Sequence, residues 1–282
     1  MAELSDLPVA LFDSGVGGLT VLAAVARALP FENLLYLGDT ARVPYGTRSP
    51  DTIARYTHMA AGYLLKHGAK MLVVACNTAS SAALPSLREA FASIPVLGVI
   101  EPGAEAATQA SQNGHIAVIA TEATIRGGAY QQAITRRRPD ARVTGRACTL
   151  FVPLAEEGWI DGEIAEKVAA RYLADIFDRP AGRERPDTLL LGCTHFPLLL
   201  EPLRKLAGDD VSIVDSAAAT AKKVAATLKD LNLLRKSRKP GGRRFLVTDN
   251  PERFARAGEI FLGKSLAPDE LRLIDLQPSG NI

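Results

Sequence analysis

Two stretches of the chain repeat one order of residue types. Met71–Ser80 (MLVVACNTAS) and Thr188–Pro197 (TLLLGCTHFP) each run from an apolar stretch into a cysteine, then polar residues, then a segment of helical character. A short apolar run bounded in this way reads as a strand buried on both faces of a parallel sheet. Cys76 and Cys193 therefore fall where a strand ends and a helix begins, with Asn77 or Thr78 placed to cap the first helix. Backbone N–H groups and the positive end of the helix dipole favour a thiolate there. A lone buried cysteine would carry little information, because cysteine is among the most buried residue types. Two in one local context, in a chain with only three cysteines, point to chemistry.

The rest of the chain alternates in the same manner. Apolar runs at Val9–Phe12, Leu34–Leu37, Val96–Val99, Ile116–Ile119, Arg142–Ala147, Ser212–Val214, Phe245–Val247 and Leu271–Ile274 read as further strands. Helical spacing of apolar residues places helices over Leu19–Leu29, Pro50–His67, Ile125–Arg137, Glu163–Phe177, Ser216–Leu231 and Pro251–Leu262, while Arg179–Pro186 reads as an exposed loop. Strands alternating with helices give an α/β class with parallel sheets. The repeated cysteine unit implies two similar α/β halves related by a pseudo-twofold axis and facing each other across a cleft. We expect residues 1–97 plus 212–282 to form the first domain and 98–211 the second, because the first half otherwise has few strands.

In parallel sheets, ligands bind outside the carboxyl ends of the strands. Here those ends carry Asp13-Ser14, Asp39-Thr40, Cys76-Asn77-Thr78, Glu101, Thr121 and Cys193-Thr194-His195, a polar rim for one site. The turn Asp13-Ser14-Gly15-Val16-Gly17-Gly18 has neither the spacing nor the lysine of a phosphate-binding P-loop. Two thiols on opposite sides of one carbon suit proton exchange: one removes a proton from one face and the other returns one to the opposite face. His195, two residues after Cys193, is placed to favour its thiolate. Asp13 is a candidate partner for the first cysteine or for a substrate ammonium.

Other chemistries have weaker signals. His58, His67, His115 and His195 are scattered and form no metal motif, and no lysine stands at an apolar strand end to carry pyridoxal phosphate, so neither metal nor cofactor is expected. Cys148 has no helix start behind it and reads as a structural thiol. The net charge of +2 gives no case for nucleic acid or a membrane surface. The basic runs Arg136–Arg138 and Arg235–Arg244 read as solvated helix ends or loops. The opening MAELSDLPVALF is not a signal peptide, and reduced thiols fit a cytoplasmic protein.

The segments LFDSGVGGLTVL, GDTARVPYGTRS, VVACNTAS, GVIEPGAEAA, ATIRGGAY, LFVPLAEEG and LLLGCTHFPLL, in this order, resemble glutamate racemases of the aspartate/glutamate racemase family. The resemblance runs from about Val9 to Val214 and more loosely through FLVTDNPERF. It departs at Cys148-Thr149, where the family often has Cys-Pro. It implies a cofactor-independent two-base racemase that makes D-glutamate for peptidoglycan. By the motif match, Cys76 acts on D-glutamate and Cys193 on L-glutamate, with Asp13, His195 and Glu156 as supporting acid–base groups. Glu157 stands beside Glu156, and alignment to the motif selects the first. Ser14, Tyr45, Gly46, Asn77, Thr78, Thr121, Thr124 and Thr194 match substrate-binding positions, as do Asp13 and His195. A homodimer is expected. Aspartate or hydantoin racemisation is the nearest alternative activity. A binding role, such as the gyrase binding reported for some members, is the alternative of a different class.

Overall fold

The computed structural model describes residues 3–178 and 185–276. Its first strands are β1 (Val9–Asp13), β2 (Leu34–Gly38), β3 (Met71–Val74) and β4 (Val96–Gly98), joined through helices α1 (Leu19–Ala28), α2 (Pro50–Lys66) and α3 (Asn77–Ala90). Helix α4 (Ile100–Ala110) leads into a second series: β5 (His115–Ala120), β6 (Arg142–Ala147), β7 (Thr188–Gly192) and β8 (Ser212–Asp215). Between these lie α5 (Glu122–Gly127), α6 (Ala129–Arg137), α7 (Phe151–Glu156), α8 (Gly162–Phe177) and α9 (Leu200–Ala207). The chain ends in α10 (Ser216–Asp230), β9 (Arg243–Val247), α11 (Pro251–Leu262) and β10 (Leu271–Leu273).

The strands form two all-parallel sheets, ordered β10-β9-β2-β1-β3-β4 and β6-β5-β7-β8. Numbered within its own series, each half has the order second, first, third, fourth. Each cysteine of the repeated unit follows the third strand of its series. β1, β2 and β3 are buried throughout, as their unbroken apolar runs require. Register aligns their carboxyl ends: Asp13 pairs with Gly38, and Phe12 with Val74. In the second sheet Ala120 aligns with both Ala147 and Gly192.

The helix after each fourth strand crosses to the other half. Ile100, Ala104 and Ala107 of α4 are buried with Ile116, Val118 and Leu190 of the second sheet. Ala217, Ala221, Val224 and Leu228 of α10 are buried with Val9, Leu11 and Leu22 of the first half. The two crossing helices also pack on each other. Among the described residues, no helix is long and apolar enough to cross a membrane.

Two local expectations change. The strand Ser212–Asp215, assigned to the first half from sequence, pairs with β7 in the second sheet, so the return crossing follows Asp215. Asp215 then caps α10 by accepting the Ala217 and Ala218 N–H groups. Pro102-Gly103, just past β4, lies inside α4. Proline costs little in a first turn, where N–H groups have no helical acceptor. The single helix over Ile125–Arg137 is two, broken at Gly128, whose φ of 66° is left-handed. The loop Arg179–Pro186 lies mostly outside the described residues, as do the chain's first two and last six positions. The basic runs are tied down: Arg136 and Arg137 pair with Glu101, and Arg235 donates to the Phe31 carbonyl.

A buried ion pair fastens the opposite end of the first sheet. Lys70, just before β3, donates to the Ser5 carbonyl at 2.6 Å and pairs with Glu32, just before β2. Glu32 also accepts the Arg235 N–H at 2.7 Å, which anchors the segment returning to β9. Both charges are almost fully buried. Removing one leaves the other without compensation, so Lys70→Met is expected to lower unfolding free energy by about 3–5 kcal/mol in urea titration. Adding Glu32→Leu should return most of that loss; an equally unstable double variant would contradict this account.

Candidate active site

The carboxyl ends of the two sheets face a common cavity of about 270 Å³. Ser14, Tyr45, Gly46, Cys76, Asn77 and Thr78 line it from the first half, and Thr121, Glu156, Cys193, Thr194 and His195 from the second. Asp13 and Thr124 stand behind this lining, both nearly fully buried. Of the strand-end rim read from sequence, Asp39, Thr40 and Glu101 stay off the lining: Asp39 is hydrogen-bonded to Tyr45 and Thr248, Thr40 donates to the Asp249 carbonyl, and Arg136 and Arg137 take the Glu101 carboxylate.

Cys76 itself is the N-cap of α3, in place of Asn77 or Thr78. Its sulfur accepts the Ala79 N–H at 3.4 Å and lies 3.5 Å from the Ser14 hydroxyl oxygen. These contacts favour a thiolate, as the strand-to-helix placement predicts, but they do not decide the balance. Burial, followed by the charge of Asp13, pushes the Cys76 thiol up to about 12. At neutral pH Cys76 therefore holds its proton.

Cys193 has different support. A 3₁₀ turn, Phe196–Leu199, separates it from α9, so no α-helix starts directly behind it. Its sulfur lies 3.8 Å from His195 Nδ1, and His195 Nε2 lies 3.2 Å from Glu156 Oε1. Glu156 Oε2 is 3.7 Å from Arg253, a residue of α11. Burial disfavours a charged His195, but hydrogen bonds to Cys193 and Glu156 and their charges outweigh it and raise its pKa to about 10. Burial likewise works against a charged Glu156, yet His195 and Arg253 leave its carboxyl below the usual range. Glu157, the neighbour that sequence could not separate from Glu156 without the motif, is exposed.

The glycine turn after β1 makes room for these groups. A Cβ on Gly17 would fall 2.4 Å from the His195 ring and from Thr194 Oγ1, and one on Gly18 would fall 2.5 Å from Asp13 Cβ. Asp13 Oδ2 accepts the Gly15 N–H at 2.8 Å. Burial raises the Asp13 pKa, opposed by the charge of His195 and the bond from Gly15. Asp13 Oδ1 and Asn77 Nδ2 are buried without hydrogen-bond partners among the described residues. Buried polar atoms are rarely left so, and these two are spare acceptor and donor capacity at the site.

The hydroxyls differ in availability. Thr78, Thr121 and Thr124 form a triangle of hydroxyl contacts at 2.9, 3.0 and 3.2 Å, joining the starts of α3 and α5. Tyr45 lines the cavity, but its hydroxyl donates to Asp39 at 2.6 Å, so it offers its ring and backbone. Gly46 accepts the Ala123 N–H at 2.9 Å and sits tight against Thr121. Val43, Pro44, Thr47, Thr149, Val152 and Pro153 also line the cavity and were not singled out from sequence. Arg253 was likewise not singled out, although it lies in FLVTDNPERF, where the resemblance is looser. Cys148 is buried away from the lining, and burial pushes its thiol up to about 12. No group of three or more His, Cys, Asp or Glu side chains among the described residues is arranged to hold a metal ion.

The family model described as Asp/Glu/Hydantoin racemase matches residues 16–224. The glutamate racemase of Geobacter metallireducens is 51% identical over 258 residues, covering 92% of this chain and 93% of that relative. The structure of glutamate racemase from Thermus thermophilus in complex with β-chloro-D-alanine superposes with a TM-score of 0.85 at 42% identity, covering 96% of this chain and 98% of the other. That of Francisella tularensis in complex with D-glutamate gives a TM-score of 0.87 at 35% identity over the same shares. With two parallel sheets, a shared cavity and a cysteine from each half, the chain belongs to the Asp/Glu/hydantoin racemase family.

Proposed function

We propose that the chain interconverts L- and D-glutamate by proton exchange between Cys76 and Cys193, without a cofactor, and so supplies D-glutamate for peptidoglycan synthesis in the cytoplasm. The observation that carries this reading is the pair of thiols on one cavity, contributed by different sheets and differently supported. The names of the relatives and the D-glutamate held by the Francisella enzyme support glutamate as the substrate.

In the L-to-D direction the substrate's α-carbon lies between the sulfurs. Cys193, with the His195 imidazolium beside it, takes the α-proton. Cys76, which holds its proton, delivers it to the other face. The return direction exchanges the two roles. Asp13 Oδ1 is a free acceptor suited to the substrate ammonium, and Asn77 Nδ2 a free donor suited to a carboxylate. The Ser14, Thr78, Thr121 and Thr194 side chains add hydroxyls to the same wall.

The first test is direct. Purified protein should bring the circular dichroism of an L-glutamate solution to zero with no pyridoxal phosphate or metal added, and should leave L-aspartate unchanged. Loss of activity on chelation with recovery on adding metal would count against the reading.

A second test separates the faces. Enantiomers have equal free energy, so kcat/KM must stay equal in the two directions in any variant, and racemisation alone cannot show which cysteine serves which face. Elimination of chloride from a β-chloro amino acid needs only the first deprotonation. Cys76→Ser and Cys193→Ser should each lower racemisation by at least about 100-fold, since a hydroxyl is a poor base. Cys76→Ser should still eliminate from the L-configured analogue and Cys193→Ser from the D-configured one. The same enantiomer preference in both variants would sink the two-base reading.

The third test is a pH profile. His195 keeps its proton to about pH 10 because Cys193 and Glu156 stabilise it. In Glu156→Gln the support from that carboxylate is lost, the imidazolium loses its proton at lower pH, and the alkaline limb of kcat/KM should move down by about one unit or more. An unmoved limb would remove Glu156 from the proton-handling chain.

A further inference from the structure

Asn77 can serve a carboxylate only with its amide turned the right way. Its side chain carries a donor end and an acceptor end of nearly the same shape, so a neighbour must choose between them. Tyr130 of α6 is that neighbour: its hydroxyl lies 2.6 Å from Asn77 Oδ1. The phenol is completely buried, and burial raises its pKa, so it keeps its single proton over the working range. Ser216, at the start of α10, stands beside the same phenol oxygen. The phenol donates its proton to Asn77 Oδ1. With the amide reversed, the phenol would lose this acceptor.

The ring has a fitted place. A Cβ on Gly103 of α4 would fall 3.1 Å from the Tyr130 hydroxyl oxygen, and one on Gly192 of β7 would fall 2.8 Å from its ring. Gly192 directly precedes Cys193, and Asn77 directly follows Cys76. Tyr130 thus packs under one cysteine unit and hydrogen-bonds to the other. Asn77 is itself almost fully buried, and its Nδ2 has no partner among the described residues.

We propose that Tyr130 is a positioning residue for the racemase reaction, holding the Asn77 amide with Nδ2 turned toward the cavity as the donor for a substrate carboxylate. The inference rests on the glutamate racemase reading and goes beyond it in naming the residue that sets the donor's direction. Without the phenol proton the amide is free to present its oxygen to the carboxylate, which repels it. The bond also joins α6 of the second half to α3 of the first, so the donor is correctly aimed only when the halves are seated.

The experiment is a double-mutant cycle on Tyr130→Phe and Asn77→Ala, with KM and kcat for both enantiomers of glutamate. Tyr130→Phe keeps the ring and its packing. It should raise KM about tenfold with kcat changed less than about threefold, the signature of lost uniform binding. In the Asn77→Ala background the same change should cost less than about twofold, because the group it aims is gone. A merely structural role would cost the same factor in both backgrounds, and additivity would overturn the proposal. So would an unchanged KM in Tyr130→Phe. Should Tyr130→Phe fail to fold, Ser216→Ala replaces it in the cycle. Freeing the phenol to turn should raise KM in the same way and be equally silent without Asn77; additivity there overturns the proposal too. If the unmodified chain does not racemise glutamate, the function falls and this inference with it. If it does and the cycle is additive, the inference falls alone.

Discussion

Two thiols share one buried cavity, and the arrangement of the site follows from what surrounds each of them. Burial keeps the proton on Cys76 in spite of its place at a helix start. Cys193 is equally buried, but it has a cation beside it. Cys193 and Glu156 hold His195 charged, and His195 and Arg253 keep the Glu156 carboxyl low. The two sulfurs thus differ in their neighbours: a helix start at Cys76, this row of side chains at Cys193. Much of the surrounding sequence serves it: Gly17 admits the imidazole ring, Phe261 of α11 meets it edge-on at 5.2 Å, and α7 ends at Glu156.

The C-terminal segment thereby has two tasks. It completes the first sheet through β9 and β10, and it supplies Arg253 and Phe261 to the second cysteine. Thr248, directly after β9, donates to Asp39 at 2.9 Å, and the same carboxylate accepts from Tyr45 on the cavity wall. Residues distant in the chain, in the loosely matched FLVTDNPERF segment and in α11, therefore fix the geometry of residues in the stricter motifs.

Much of the fold and of the site was legible in the sequence because it rests on local signals. Apolar runs ending in polar residues gave the strands and their functional ends, and Asp13, Cys76, Thr121 and Cys193 all stand at or just beyond such ends. What escaped depended on tertiary packing. Gly103 is one case: it sits in close approach to Tyr130 and Ser216, groups from two other helices. The edge strand Ser212–Asp215 has the same local pattern whichever sheet it joins, so its pairing could not be read. The state of Cys76 was also out of reach: a strand-to-helix junction favours ionisation, and only the degree of burial shows that desolvation wins there.

The crossing of α4 and α10 has a consequence for how the molecule can be divided. Each half lends the helix after its fourth strand to the other, so each core is roofed partly by its neighbour's chain. A cut between β4 and α4 would strip apolar cover from the second sheet, and one between β8 and α10 would strip it from the first. The halves are thus alike in plan yet inseparable in substance. A repeat built in this way is tied together at both crossings, with its cleft at the seam.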